Sequence, residues 1–164
     1  MAVNQIDVIL DLIDQAFDHK AWHGPNLRGA LRGLEGEEVI WRPANGKHNI
    51  WELMLHATYW KYIVRRRLLN EEKGSFQLPG SNFFERPAEG YADKKAWDKD
   101  VKLLIETHRS LRAAVANLKP KSLTGTASGS KYSILQTVNG IAAHDLYHAG
   151  QIQLIKRLYQ AQNK

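Results

Sequence analysis

Residues 133–159 read SILQTVNGIAAHDLYHAGQIQLIKRLY. Val138, Ile141, His144, His148, Ile152, Ile155 and Tyr159 recur in them at steps of three and four, the spacing of one face of an α-helix. Ser133, followed three residues on by Gln136, is a capping box that starts such a helix. A helix with an apolar stripe along its length must bury that stripe against other elements.

Three further segments supply partners with the same period. Val3, Ile6, Leu10, Ile13 and Phe17 form the stripe of a first helix, with Asp7, Asp11, Asp14 and Asp18 assigned to its other faces and Gly24-Pro25 closing it off. A second helix starts at Asn49, with Glu52 as its capping-box partner, and its stripe runs Leu53, His56, Trp60, Ile63, Arg67. A third runs from about Ala92 to Leu118 through Trp97, Val101, Leu104, His108, Leu111 and Val115, in the alternating steps of a heptad seam. No segment alternates with period two for long enough to be a strand. The expected fold is therefore all-α, a bundle of four long helices forming one domain over residues 1–164. Residues 71–91 hold Gly74, Pro79, Gly80, Pro87 and Gly90 and read as a long loop. At about 3.3 Å per extended residue it can run the full length of a bundle, which lets the second and third helices lie parallel. Residues 21–48 form another long connection, with a short helix expected around Leu27–Leu34.

Composition narrows the chemistry. The 164 residues contain no cysteine, which removes disulfides, thiolate metal sites and a Cys nucleophile, so any metal site must use His, Asp or Glu. No apolar run approaches the roughly 20 residues of a membrane span, and the first residues lack the pattern of a signal peptide, so a cytoplasmic protein without membrane contact is expected. The net charge of +6 comes from 23 basic against 17 acidic residues. The densest basic group, Lys61 with Arg65, Arg66 and Arg67, is too short for the continuous stripe of a nucleic-acid binder and reads as a solvated surface. The excess suits an anionic small-molecule substrate.

Three histidines stand where core residues belong. His144 and His148 lie four apart on one helical face, and His56 sits between Leu53 and Trp60 on another. Inward imidazoles cost free energy unless they are hydrogen-bonded or ligated. Two readings follow: hydrogen-bonded core histidines, or an open three-His site for a divalent ion, the arrangement of a catalytic rather than a structural metal. His108 falls on the third helix's seam and reads as a buried or pocket-lining residue. His19, His23 and His48 fall near helix ends or in loops and read as surface residues. The His144-Asp145-Leu146-Tyr147-His148 run has the spacing of a zinc-protease helix with Asp for Glu, but no His follows His148 to complete it. Asp145 is instead expected to orient an imidazole N–H. Tyr59, Tyr147 and Gln151 adjoin the histidines without an assignable role.

The stretch Asn49-Ile50-Trp51-Glu52-Leu53-Met54-Leu55-His56-Ala57-Thr58-Tyr59-Trp60, the stretch from Gly140 to Ile152, and Trp41-Arg42-Pro43 together resemble the DinB-like superfamily, which includes the YfiT-type metal-dependent hydrolases. The resemblance spans essentially the whole chain. It implies a four-helix bundle in up-down-down-up order with a long crossover between the second and third helices, and a homodimer. It also implies a divalent ion, nickel or zinc, held by His56, His144 and His148. Relatives include transferases and isomerases that use a low-molecular-weight thiol such as bacillithiol, mycothiol or glutathione. The leading expectation is a metal-dependent transferase or hydrolase acting on a small molecule. A non-catalytic stress protein that binds a metal or small ligand stands second, and a nucleic-acid-associated protein third.

Overall fold

The computed structural model describes residues 4–43, 48–74, 76–88 and 90–163. Four long helices, α1 (Gln5–Phe17), α4 (Ile50–Leu68), α5 (Lys94–Ala116) and α6 (Ile134–Gln162), carry the architecture. Two four-residue helices, α2 (Leu27–Ala30) and α3 (Glu37–Ile40), lie between α1 and α4, and a 3₁₀ turn (Pro120–Ser122) follows α5. Among the described residues there is no strand; Thr126 and Ser133 make one isolated bridge. The all-α reading holds. The short helix expected around Leu27–Leu34 ends at Ala30, and α3 had no period long enough to be read from sequence.

Both expected capping boxes form. Asn49 accepts from the Glu52 N–H at 2.9 Å while Glu52 accepts from the Asn49 N–H at 3.3 Å, and Ser133 and Gln136 pair in the same way at 3.1 and 3.0 Å. Glu52 does more than cap. Its buried carboxylate takes a two-pronged pair from Arg42, at 2.7 and 2.5 Å, and the backbone N–H of Arg86 at 3.2 Å. Arg86 in turn reaches Asp100 on α5 at 2.9 Å, and its carbonyl accepts from the Asn49 side chain at 2.7 Å. The start of α4 thus ties down the far end of the long α4–α5 loop. Phe84 is buried in the core, with Phe76 packed against it.

Contacts between helices follow a regular order. Along α4 and α5, Trp51 meets Trp97 and Asp100, and Lys61 meets His108 further on. Along α4 and α6 the order reverses: His56 meets His148 and His144, Trp60 meets His144, and Val64 lines a cleft with Ile141. Phe17 and Asp14 of α1 meet His108 and Arg112 of α5, again in reversed order. The core divides into two apolar clusters. One gathers the first half of α4, the start of α5 and the later part of α6; the other gathers α1 with the ends of α4 and α5 and the start of α6. His56, Thr58 and Lys61 of α4 and Asp145 and His148 of α6 are buried polar side chains that lie where one cluster gives way to the other.

Two expectations about charged residues fail here. Asp14 is buried, because Arg112 on α5 meets it with a two-pronged pair at 2.6 and 2.7 Å, so its carboxylate is held inside rather than on an outer face. Lys61 is fully buried and ion-paired to Asp145 of α6, so it is no part of a basic surface.

Candidate metal centre

His56 projects from α4, and His144 and His148 from α6, into one space. The Nε2 of His144 lies 3.2 Å from that of His56 and 3.1 Å from that of His148, and all three candidate ligand atoms fall within 4.8 Å of one another. The i, i+4 spacing sets two rings edge to face on α6, with centroids 4.3 Å apart, and the reversed order of contacts brings His56 opposite them.

The outer nitrogens decide which way each ring is protonated. His56 Nδ1–H donates to the carbonyl of Asn82 at 2.9 Å, and a carbonyl can only accept, so the His56 Nε2 carries a lone pair. His148 Nδ1–H donates to Gln151 Oε1 at 2.7 Å, with the same consequence. His144 Nδ1 is buried with no hydrogen-bond partner. Burial lowers the basicity of His56. Burial and then the neighbouring imidazoles push His144 down to about 3, and burial with His56 takes His148 to about 4. All three rings are therefore neutral at pH 7. Two lone pairs face His144 Nε2, which can supply at most one proton between them. One nitrogen–nitrogen contact is left with no hydrogen to bridge it, a deficit that a shared cation removes. Nitrogens about 2.0–2.1 Å from a tetrahedral ion would stand roughly 3.3 Å apart, close to the separations here. The cluster is compatible with a divalent metal ion.

Asn82 was not anticipated. It comes from the α4–α5 loop in the left-handed region, at φ 67°, which Asn tolerates better than most residues. Its carbonyl orients His56, and its side-chain oxygen accepts from Trp60 Nε1–H at 3.0 Å. Phe83 follows, its ring stacked against His56 on one side and His48 on the other. An Asn in a Gly- and Pro-rich loop is a legible hint of a positive φ, but nothing local ties it to a histidine 26 residues earlier.

Other assignments change. Asp145 does not orient an imidazole: its carboxylate pairs with Lys61 in the interior, and the orienting groups are the Asn82 carbonyl and Gln151. Burial pushes Asp145 up to about 6 and Lys61 down, while the pair opposes both shifts. His108 is buried as expected, stacked on Phe17 with ring centroids 3.5 Å apart, and its Nδ1 is 3.4 Å from Lys61 Nζ. Burial and the adjacent Lys61 hold it down to about 2, so it stays neutral. His48 is half-buried against Phe83 and Glu52 rather than a surface residue, whereas His19 and His23 are exposed. Arg65 is held by Glu71 at 2.5 and 2.8 Å and Arg66 donates to the Glu71 carbonyl at 3.0 Å, so the Arg65–Arg67 run does not present three free cations. Among the described residues, no helix is long and apolar enough to cross a membrane.

The geometry defines a class: an all-α protein with a buried three-histidine cluster at the junction of two antiparallel helices and a crossover loop. The family model of the DinB superfamily matches residues 21–152, most of the chain, including all of α4 and α6 as far as Ile152, and the chain belongs to that superfamily. Neither the curated proteins nor the solved structures yielded a match.

Proposed function

We propose that the protein is a metal-dependent enzyme acting on a small molecule, with His56, His144 and His148 as the ligands of a divalent ion, zinc or nickel. The observation that carries this reading is the proton deficit at the cluster, where three neutral imidazoles face one another and at least one contact has no hydrogen. A divalent ion bound there supplies Lewis acidity with positions left for substrate. Asn82 and Gln151 orient two of the rings by holding their Nδ1 protons.

Of the reaction types open to such a centre, we favour group transfer over hydrolysis. The cleft that reaches the cluster is lined by Trp60, Val64, Arg67, Tyr132, Ile141 and His144 among others, and no carboxylate is in its lining to act as a general base. A transferase whose nucleophile arrives with a low-molecular-weight thiol needs no such base from the protein. The same lack of a base keeps a second reading, a non-catalytic protein that binds a metal and a small ligand. Cytoplasmic residence fits the transferase reading, since low-molecular-weight thiols are abundant there.

The order of contacts along the paired helices supports an up-down-down-up bundle with α4 and α5 parallel, and the α2–α6 and α1–α6 contacts support one domain over residues 1–164. For a homodimer, Leu154 is 58% exposed on α6 with Tyr147 and Leu158 nearby in sequence, whereas Leu146 packs against the core.

Elemental analysis of untagged protein purified without added metal should return close to one divalent ion per chain, and His148→Ala should lose it while retaining its helicity. A variant that kept full occupancy would overturn the ligand assignment. Thiol-transfer assays with zinc or nickel then separate the enzyme from the binding protein.

A further inference from the structure

The cleft beside the histidines, about 430 Å³, has two ends of different chemistry. His144 stands at one. At the other is Arg67, seven residues beyond Trp60 on α4 and therefore on the same helical face, roughly 10 Å further along the axis. Trp60 and Arg67 also line a second cleft of about 530 Å³, so they form the wall between the two. Neither lining includes an acid.

Arg67 differs from its neighbours. Arg65 pairs with the Glu71 carboxylate and Arg66 donates to the Glu71 backbone carbonyl, whereas Arg67 has no hydrogen-bond or ion-pair partner among the described residues; the Nε of each of the three is buried without a partner. A half-buried guanidinium without a counter-charge is costly on its own, and its planar fork matches a carboxylate with two parallel hydrogen bonds. The lining is mostly apolar, from Val64, Ile141 and the rings of Trp60 and Tyr132, with Ser130, Gln136 and Thr137 as its uncharged polar members. Gly140 also lines it, and a Cβ added there would meet no atom within 4 Å, so a larger side chain has room to enter.

We propose that this cleft is the binding site of an amphipathic carboxylate, its anionic end paired with Arg67, its apolar body along Trp60 and Ile141, and its other end at His144. The inference rests on the metal-centre reading only for the role of the His144 end; the pairing with Arg67 stands without it.

The test is calorimetric titration of the full chain with octanoate, octanol and octylamine, against wild type and the test variants Arg67→Gln and Gly140→Leu, with His144→Ala as a control and with metal content and helicity measured on each sample. Octanoate should bind wild type, bind Arg67→Gln at least about tenfold more weakly, and fail to bind Gly140→Leu, whose side chain would occupy the cleft. Octanol should bind weakly and equally to wild type and Arg67→Gln, and octylamine should not bind. Equal octanoate affinity in wild type and Arg67→Gln, or no octanoate binding to wild type, overturns the proposal. So does loss of octanoate binding in His144→Ala with none in Arg67→Gln, which would place the carboxylate at the histidines. Both test variants keep the three imidazoles, so their metal content should equal that of wild type. Wild type without metal would sink the metal reading and leave the Arg67 result to be judged on its own.

Discussion

Helices α4 and α6 hold two polar clusters side by side, and they solve burial in opposite ways. Lys61 and Asp145, with His108 beside them, are sealed between the two apolar clusters and neutralise each other. His56, His144 and His148, starting one residue before Asp145 on α6, have no carboxylate among them, leave His144 Nδ1 unpartnered and border an open cleft. The first cluster balances its charge within the chain, although Asp145 Oδ1 has no hydrogen-bond partner. The second faces nitrogen lone pairs at one another with too few protons to bridge them, a deficit that an added ion would remove, and that is the physical difference between a structural ion pair and a candidate site. Their closeness in sequence shows how little local context separates the two outcomes: Asp145 points one way from its helix and His144 another, and only the opposing residue on α4 determines what each becomes.

That contrast can be broken most severely at Lys61. Lys61→Ala strands the buried Asp145 carboxylate and should cost about 3–5 kcal/mol in denaturant unfolding, whereas the double change Lys61→Met with Asp145→Leu should recover most of that loss. If the double variant also keeps its metal, the two clusters are independent; a loss of metal in a well-folded double variant would show that they are one unit.

A smaller effect is expected at Glu52, which pins the crossover loop that carries Asn82. Burial alone would raise this carboxyl, but the hydrogen bond from Arg42 and the N–H groups of Arg86 and Asn49 outweigh it and hold it below its ordinary 4.5. A carboxyl lowered by folding adds stability above its unfolded value and loses it as pH falls through the folded one. Glu52→Gln should therefore destabilise by about 2 kcal/mol at pH 7, and the gap to wild type should narrow below about pH 4.5 in thermal melts across pH.

Asn82 comes next. Asn82→Ala must hold a positive φ that alanine dislikes, at a cost of about 1 kcal/mol, and loses the bond from Trp60; Asn82→Gly loses only the bond. Because the group that orients His56 is a backbone carbonyl, Asn82→Gly should retain metal affinity better than Asn82→Ala, as competition with a chelator would measure. The smallest stability change belongs to the histidines themselves. His144→Ala removes a ring with an unsatisfied nitrogen and should shift metal-free stability by less than about 1 kcal/mol. Added zinc or nickel should raise the melting temperature of wild type and not of this variant.

Much of this was legible in the residues. The periods around Ile13, Leu104 and Ile141 mark the buried faces, and the Asn49–Glu52 and Ser133–Gln136 boxes mark where α4 and α6 begin, because caps and periodicity act over three to seven residues. The inward direction of His56, His144 and His148 follows from the same stripes. The fates of Asp14, Asp145 and Lys61 did not follow, since each sits where helical phase allows either solvent or an interhelical partner, and the partner lies 84 or 98 residues away in sequence. Basic residues in a row likewise read as one patch, although helical geometry turns Arg65, Arg66 and Arg67 through about 100° per step.

Local sequence by itself therefore determined four long helices, their buried faces and a set of three inward imidazoles, all consequences of spacing within one turn or two. Only the packing of α4 against α5 and α6 decided which charges neutralise each other, which carbonyl orients His56 and which arginine of the Arg65–Arg67 run is left without a hydrogen-bond partner among the described residues. Those are pairings between distant segments, and a side chain's chemistry is completed by whatever the fold sets opposite it.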